Sequence, residues 1–161
     1  MTSQHAPTLK PKSASKQKLR LWIRLLGASR NIEAVLRSRL RAAFGATLPQ
    51  FDVMAALARK PVGMTMTELS RYLMVSNGNV TGIIDRLVAD GFVVRLANAQ
   101  DRRATVVRLT RRGSQAFRVM AEAHEVWVNE VLAGLDRDRC ETMIDLLAGL
   151  GLAPHRGDEP A

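Results

Sequence analysis

The sequence predicts a mainly α-helical protein with one small β-hairpin, and three observations predict it. Apolar residues recur at three-and-four spacing near both ends of the chain, the mark of long amphipathic helices. Two short helical segments in the middle are separated by only three residues, Met74-Val75-Ser76. Two apolar runs follow, Phe92 to Leu96 and Thr105 to Leu109, with a polar, turn-like stretch from Ala97 to Arg103 between them.

Taken in order, residues 1–16 read as a flexible basic tail with Pro7, Pro11 and three lysines. Lys18 to Phe44 is the longest helical candidate. Trp22, Leu25, Leu26, Ile32, Leu36, Leu40 and Phe44 form one stripe expected to be buried, and arginines occupy the other faces. Gly45 is a natural stop. Pro49 suits the first turn of a second helix that runs to Arg59, before Pro61 and Gly63 break it. Thr65-Met66-Thr67-Glu68 fits a capping box, in which the Thr hydroxyl and the Glu carboxylate each satisfy an orphan amide. The short helix that follows carries Leu69 and Leu73. Ser76 is a natural N-cap for the next helix, which turns Val80, Ile83, Ile84, Leu87 and Val88 inward. Gly91 sits where a left-handed residue ends a helix. After the hairpin, Thr110 caps a long helix with Phe117, Met120, His124, Trp127 and Val131 on one stripe. Asp136 caps the last, with Cys140, Met143, Ile144, Leu147 and Leu150 on one face. Residues 153–161 are expected to fray.

The chain has 161 residues and an excess of 24 Lys+Arg over 15 Asp+Glu, a formal charge of +9. Such an excess points to an anionic partner and says nothing of fold. Aromatics are 4% of the sequence, too few for a stacking platform that binds single strands. One cysteine, Cys140, forms no intramolecular disulfide, and with no apolar signal segment at the N-terminus a cytoplasmic location is expected. No apolar run approaches the roughly 20 residues that span a bilayer. The histidines His5, His124 and His155 are scattered, and no zinc, redox or P-loop motif is present, so neither enzymatic activity, metal nor cofactor is expected.

Two short helices joined by a three-residue turn and followed by a hairpin describe a winged helix-turn-helix. Its second helix fits the major groove of double-stranded DNA with N-terminal residues at base edges. The candidate contacts there are Ser76, Asn77, Gly78, Asn79, Thr81 and Arg86, with Gly82 and Asp85 also on the non-core face. Asparagine pairs well with adenine, and small residues let the backbone approach. Arg102 and Arg103 at the hairpin tip suit the minor groove. Arg95, Arg108, Arg111 and Arg112 flank it and suit phosphates. Other roles stay open: Asn77 and Asn79 also suit helix-start hydrogen bonds, and Arg86 suits a buried ion pair holding the wing.

The run Gly91-Phe92-Val93-Val94-Arg95, then Asp101-Arg102-Arg103, then Val107-Arg108-Leu109-Thr110-Arg111-Arg112-Gly113 resembles the wing signature of the MarR family of bacterial regulators. The likeness covers nearly all of residues 18–150. It implies a homodimer built from the first and last helices, binding to a pseudo-palindrome, and release by a small ligand that is often an aromatic acid. By the same resemblance Arg103 enters the minor groove and Asp101 orients an arginine. The expected organisation is therefore dimerisation helices at 17–45 and 114–152 around a DNA-binding domain at 46–113.

A ligand pocket is expected where the first, second and post-wing helices meet, with Trp22, Leu26, Ser29, Arg30, Phe51, Met54 and His124 as candidates. The segments Leu21-Trp22-Ile23-Arg24-Leu25-Leu26 and Leu73 to Gly82 are similar to MarR-type regulators of hydroxycinnamate and related aromatic catabolism. That likeness implies an aromatic carboxylate or an aryl-CoA thioester as effector. A polyanion near the wing would compete with DNA phosphates electrostatically. Cys140, on an apolar stripe, reads as inert core and not as a redox sensor. A constitutive architectural DNA binder without an effector is the alternative. A membrane-surface role for the arginine-rich first helix is disfavoured, because apolar stripes elsewhere match its own.

Overall fold

A computed structural model describes residues 14–97 and 105–151. Contacts divide it into two compact units, one ending at Val35 and the other starting at Leu36. Helix α1 (Ala14–Phe44) runs through both. The second unit continues with α2 (Leu48–Arg59), strand β1 (Met64–Thr65), α3 (Met66–Leu73), α4 (Asn77–Ala89), β2 (Val93–Ala97), β3 (Thr105–Leu109), α5 (Arg111–Val131) and α6 (Arg137–Ala148). The mainly α fold with a small antiparallel sheet is the one expected. No helix among the described residues is long and apolar enough to cross a membrane.

Local signals placed most boundaries. Thr65 Oγ1 accepts from the Glu68 amide at 3.2 Å, and the Thr65 amide donates to the Glu68 carboxylate at 2.7 Å, so the expected capping box is formed. Ser76, Thr110 and Asp136 cap α4, α5 and α6 as their positions suggested. Gly91, at φ 73°, ends α4. The Phe92 amide donates to Leu87 O and the Gly91 amide to Val88 O, the paired bonds of a Schellman turn. Thr47 and Gln50 form a second capping box, at the start of α2. Its Thr-x-x-Gln spacing is the same local signal that Thr65 and Glu68 carry.

Several expectations need correction. The tail does not extend to residue 16: α1 already includes Ala14 to Lys16, because nothing after Pro11 breaks a helix there and Ala, Lys and Gln favour one. Residues 1–13 lie outside the described residues. Strand β2 starts at Val93, since Phe92 belongs to the turn. The sheet is not a bare hairpin. Met64 pairs with Val107 and Thr65 with Val106, which makes the order β1-β3-β2. A two-residue strand is too short for periodicity to reveal.

The core lies in the second unit. Leu40, Val53, Met54, Leu57, Leu69, Val80, Ile84, Leu87 and Val107 are all essentially buried, with Phe51, Val93 and Met120 beside them. The expected α1 stripe is buried only at Leu36 and Leu40; Trp22 is 58% exposed and Phe44 is also exposed. The α6 face belongs even less to this core. That helix has no buried residue, Ile144 is 63% exposed, and Cys140 is half-buried, not core. Periodicity finds an apolar face but not what covers it.

Candidate nucleic-acid interface

The recognition unit is held from behind. Lys60 Nζ sits 2.8 Å from Glu68 and ties the end of α2 to α3. The Lys60 ammonium first, and the Thr65 amide and hydroxyl after it, pull the Glu68 carboxyl from 4.5 down to about 2. At the other end of α3, Met74 takes a left-handed conformation (φ 55°), and the Val75 amide donates back to Ser70 O at 3.1 Å. This tight reversal sets the angle at which α4 leaves.

Helix α4 has two sharply different faces. Val80, Ile84 and Leu87 are buried, while Asn77, Gly78, Asn79, Thr81, Gly82, Asp85 and Arg86 are all exposed. Ser76 Oγ accepts from the Asn79 amide, so the cap is a serine and neither asparagine side chain is needed for it. Among the described residues no side-chain hydrogen bond is made by Asn77 or Asn79. Thr81 donates its hydroxyl proton to Asn77 O at 2.9 Å, which leaves that oxygen only as an acceptor. Gly78 and Gly82 lie one turn apart, and a Cβ built on either would meet nothing within 4 Å. Each glycine costs an exposed helix about 1 kcal/mol relative to alanine. No neighbour in the fold requires that cost.

The wing is fixed to this helix by an ion pair. Arg95 on β2 donates to Asp85 on α4 at 2.6 Å. Arg86, considered as the buried partner for the wing, is exposed instead, and its neighbour Asp85 makes that link. Helical phase explains the swap, because Asp85 is the residue turned toward β2. The wing-tip candidates Asp101, Arg102 and Arg103 lie outside the described residues. Of the flanking arginines, Arg108 and Arg111 are exposed. Arg112 lies over the Phe92 ring at 5.2 Å, a cation–π contact not foreseen in the sequence. Thr110 donates its hydroxyl to Gly91 O at 2.8 Å and its amide to Phe92 O at 2.9 Å. A Cβ on Gly113 would overlap the Phe92 carbonyl. Gly91, Thr110 and Gly113 in the wing signature thus serve packing, and Arg95 serves positioning.

The expected ligand residues divide between the units. Trp22, Ser29 and Arg30 are exposed and Leu26 is half-buried on the first-unit part of α1. In the second unit Phe51 and His124 stack with centroids 4.5 Å apart and planes 17° from parallel. Burial pushes the His124 pKa below its ordinary value. Met54 lines a separate cavity with Phe44, Leu87 and Met120. Among the described residues no cluster of three or more His, Cys, Asp or Glu suits a metal.

Comparison with known proteins fits this geometry. The sequence profile of the MarR family matches residues 44–104. A crystal structure of a MarR family transcriptional regulator from Silicibacter pomeroyi is 32% identical, superposes with a TM-score of 0.75, and covers 86% of this chain and 96% of its own. The chain belongs to the MarR family. Another MarR-family structure, a variant of MarR from Escherichia coli in complex with operator DNA, is 26% identical with a TM-score of 0.74, over 87% of this chain and 99% of that one. The transcriptional activatory protein BadR of Rhodopseudomonas palustris is 38% identical over 105 residues, 64% of this chain and 59% of BadR. The chain spans only part of the first curated MarR-like relatives it matches: 59%, 53% and 65% of their lengths.

Proposed function

We propose that this chain is a dimeric, sequence-specific DNA-binding transcriptional regulator that acts in the cytoplasm. The observation that carries the reading is the exposed face of α4, polar and interrupted by Gly78 and Gly82 in open space. A partner that must approach the helix backbone closely accounts for both glycines. In this reading Ser76, Asn77, Gly78, Asn79, Thr81 and Arg86 enter the major groove, and Asp101, Arg102 and Arg103 form the wing tip at the minor groove. The likeness to a MarR bound to operator DNA supports it. The exposed apolar residues of α1 and α6 supply the dimer contact, and the two copies face a pseudo-palindromic site.

The output proposed is repression, relieved by an aromatic acid or aryl-CoA ligand. A cleft of about 500 Å³ supports an anionic effector: Arg108 and Arg111 line it together with Leu57, Val94 and Leu109. The likeness to BadR, a transcriptional activatory protein, favours activation as the second reading of the output.

Selection of a binding site from random duplexes, followed by titration at fixed salt, tests the DNA reading. Gly82→Leu is the decisive variant. Leucine is the better helix former, so the fold gains stability by about 1 kcal/mol while DNA affinity falls at least tenfold. Unchanged affinity would remove this face from the interface. Titration of the complex with an aromatic acid and its CoA thioester separates a switch from a constitutive architectural binder.

A further inference from the structure

Among the described residues five take a left-handed backbone conformation, and four of them are glycines: Gly45, Gly63, Gly91 and Gly151. The fifth is Met74. It is the C-cap of α3, in the turn that leads into α4. An L side chain is disfavoured in this conformation, glycine fits it without strain, and the turn between two such helices often holds one. Methionine therefore costs the turn stability. The backbone does not require it, because the amide bonds from Met74 to Ser70 O and Arg71 O are open to any residue but proline. Packing does not offset the cost either. Met74 is 81% exposed, and it belongs neither to the core nor to the apolar residues packed on the core.

The side chain thus stands in solvent just ahead of the exposed polar face that begins with Ser76, Asn77, Gly78 and Asn79. Of the residues around it only Val75 is also apolar and exposed, too little surface for a contact with another protein. The major groove makes a smaller demand. Its base edges present one apolar group, the C5-methyl of thymine. Methionine, unbranched and polarizable, adapts to such a contact. We infer that Met74 is a specificity-determining residue, whose thioether side chain packs on a thymine methyl in the site that α4 reads. An A·T pair offers both that methyl and the adenine edge that suits an asparagine such as Asn77 or Asn79. The inference deepens the DNA reading and rests on it.

Replacing thymine by deoxyuridine removes the methyl and leaves every hydrogen-bonding group of the base in place. In the duplex selected by the full chain, each thymine is replaced in turn, and binding is titrated at fixed salt with the wild type and with Met74→Gly. At one thymine in each half-site, deoxyuridine should weaken the wild type about fourfold, the value of one buried methyl group. Met74→Gly should lose about as much on the thymine duplex and show no further loss with deoxyuridine at that position. The same variant should melt about 2–4 °C higher, because glycine relieves the left-handed turn, so weaker binding cannot come from a damaged fold. The inference is overturned by a Met74→Gly variant with full affinity, by one that keeps the deoxyuridine penalty at every thymine, or by a wild type that no deoxyuridine weakens. A chain that enriches no sequence from the random pool sinks the DNA reading and this inference together. A chain that binds its selected duplex tightly and gives any of the three other results sinks the inference alone.

Discussion

Helices α4 and α6 are nearly the same length, 13 and 12 residues, and both start on a side-chain cap. Their surfaces differ completely. α4 buries Val80, Ile84 and Leu87 and shows solvent a face of asparagine, glycine, threonine, aspartate and arginine. α6 has no fully buried residue and shows solvent Met143, Ile144, Leu146 and Leu147. An exposed polar face with gaps suits a polar, hydrogen-bonding surface approached closely. An exposed apolar face suits another apolar face, because water is expelled only if something covers it. The two helices thus teach that this chain has two open surfaces of opposite chemistry, the first suited to the DNA and the second to the second copy proposed above.

The largest expected effect breaks the α6 side. Ile144→Asp with Leu147→Asp should turn a dimer into monomers, raising the dimer dissociation constant by roughly a thousandfold or more, since each buried hot-spot residue contributes about 2 kcal/mol or more. Analytical ultracentrifugation reads it. Circular dichroism should show the helices intact, because neither side chain is buried within the protomer. Loss of the fold would place α6 in the core after all.

Next comes the buried face of α4. Leu87→Ala should destabilise the chain by about 2–5 kcal/mol, the usual cost of an emptied leucine site, in a denaturant titration. Dimerisation measured under native conditions should change far less.

The DNA side follows. Arg103→Ala should weaken operator binding by about 1–3 kcal/mol, the scale of one specific contact, with thermal stability unchanged. Equal affinity at fixed salt would take the wing tip out of the interface.

Caps sharpen the comparison further. Ser76→Ala and Asp136→Ala each remove one bond to an orphan amide, and each should cost about 1 kcal/mol. If both faces are filled by partners, Ser76→Ala lowers DNA affinity and leaves the dimer intact, and Asp136→Ala does the reverse.

The smallest effects are in pH. Glu68 has a folded pKa of about 2 against 4.5, so its unfolded form binds the proton more readily. Its stabilisation is complete above pH 4.5 and is lost as pH falls toward 2. Glu68 is partly exposed, so the slope is shallow. Glu68→Gln should flatten it in acid unfolding curves. His124 has its pKa lowered by burial, so charging it opposes folding. Stability should fall as pH drops below 6.5, and His124→Phe should abolish that fall while keeping a ring against Phe51.

What was legible in the sequence is what is decided within a few residues. The capping box of Thr65 and Glu68, the caps at Ser76, Thr110 and Asp136, and the turn at Gly91 each need only neighbours three or four positions away. The hairpin strands follow from β-branched runs, and the exposed polar face of α4 follows from its period. The family resemblance also lay in a contiguous stretch around the wing.

Other features needed the chain to close on itself. Strand β1 exists because Met64 and Thr65 meet β3. Asp85 pairs with Arg95, and not Arg86 with the wing, because Asp85 is the residue turned toward β2 once α4 and β2 pack together. Phe51 stacks on His124 across α2 and α5. The cavity lined by Met54 forms only where α1 and α4 end together. Sequence determined which faces are apolar, polar or charged, since side-chain chemistry and helical period are local properties. Tertiary structure decided which of those faces meet and which stay open, because burial and ion pairing depend on distances between elements that no local pattern carries.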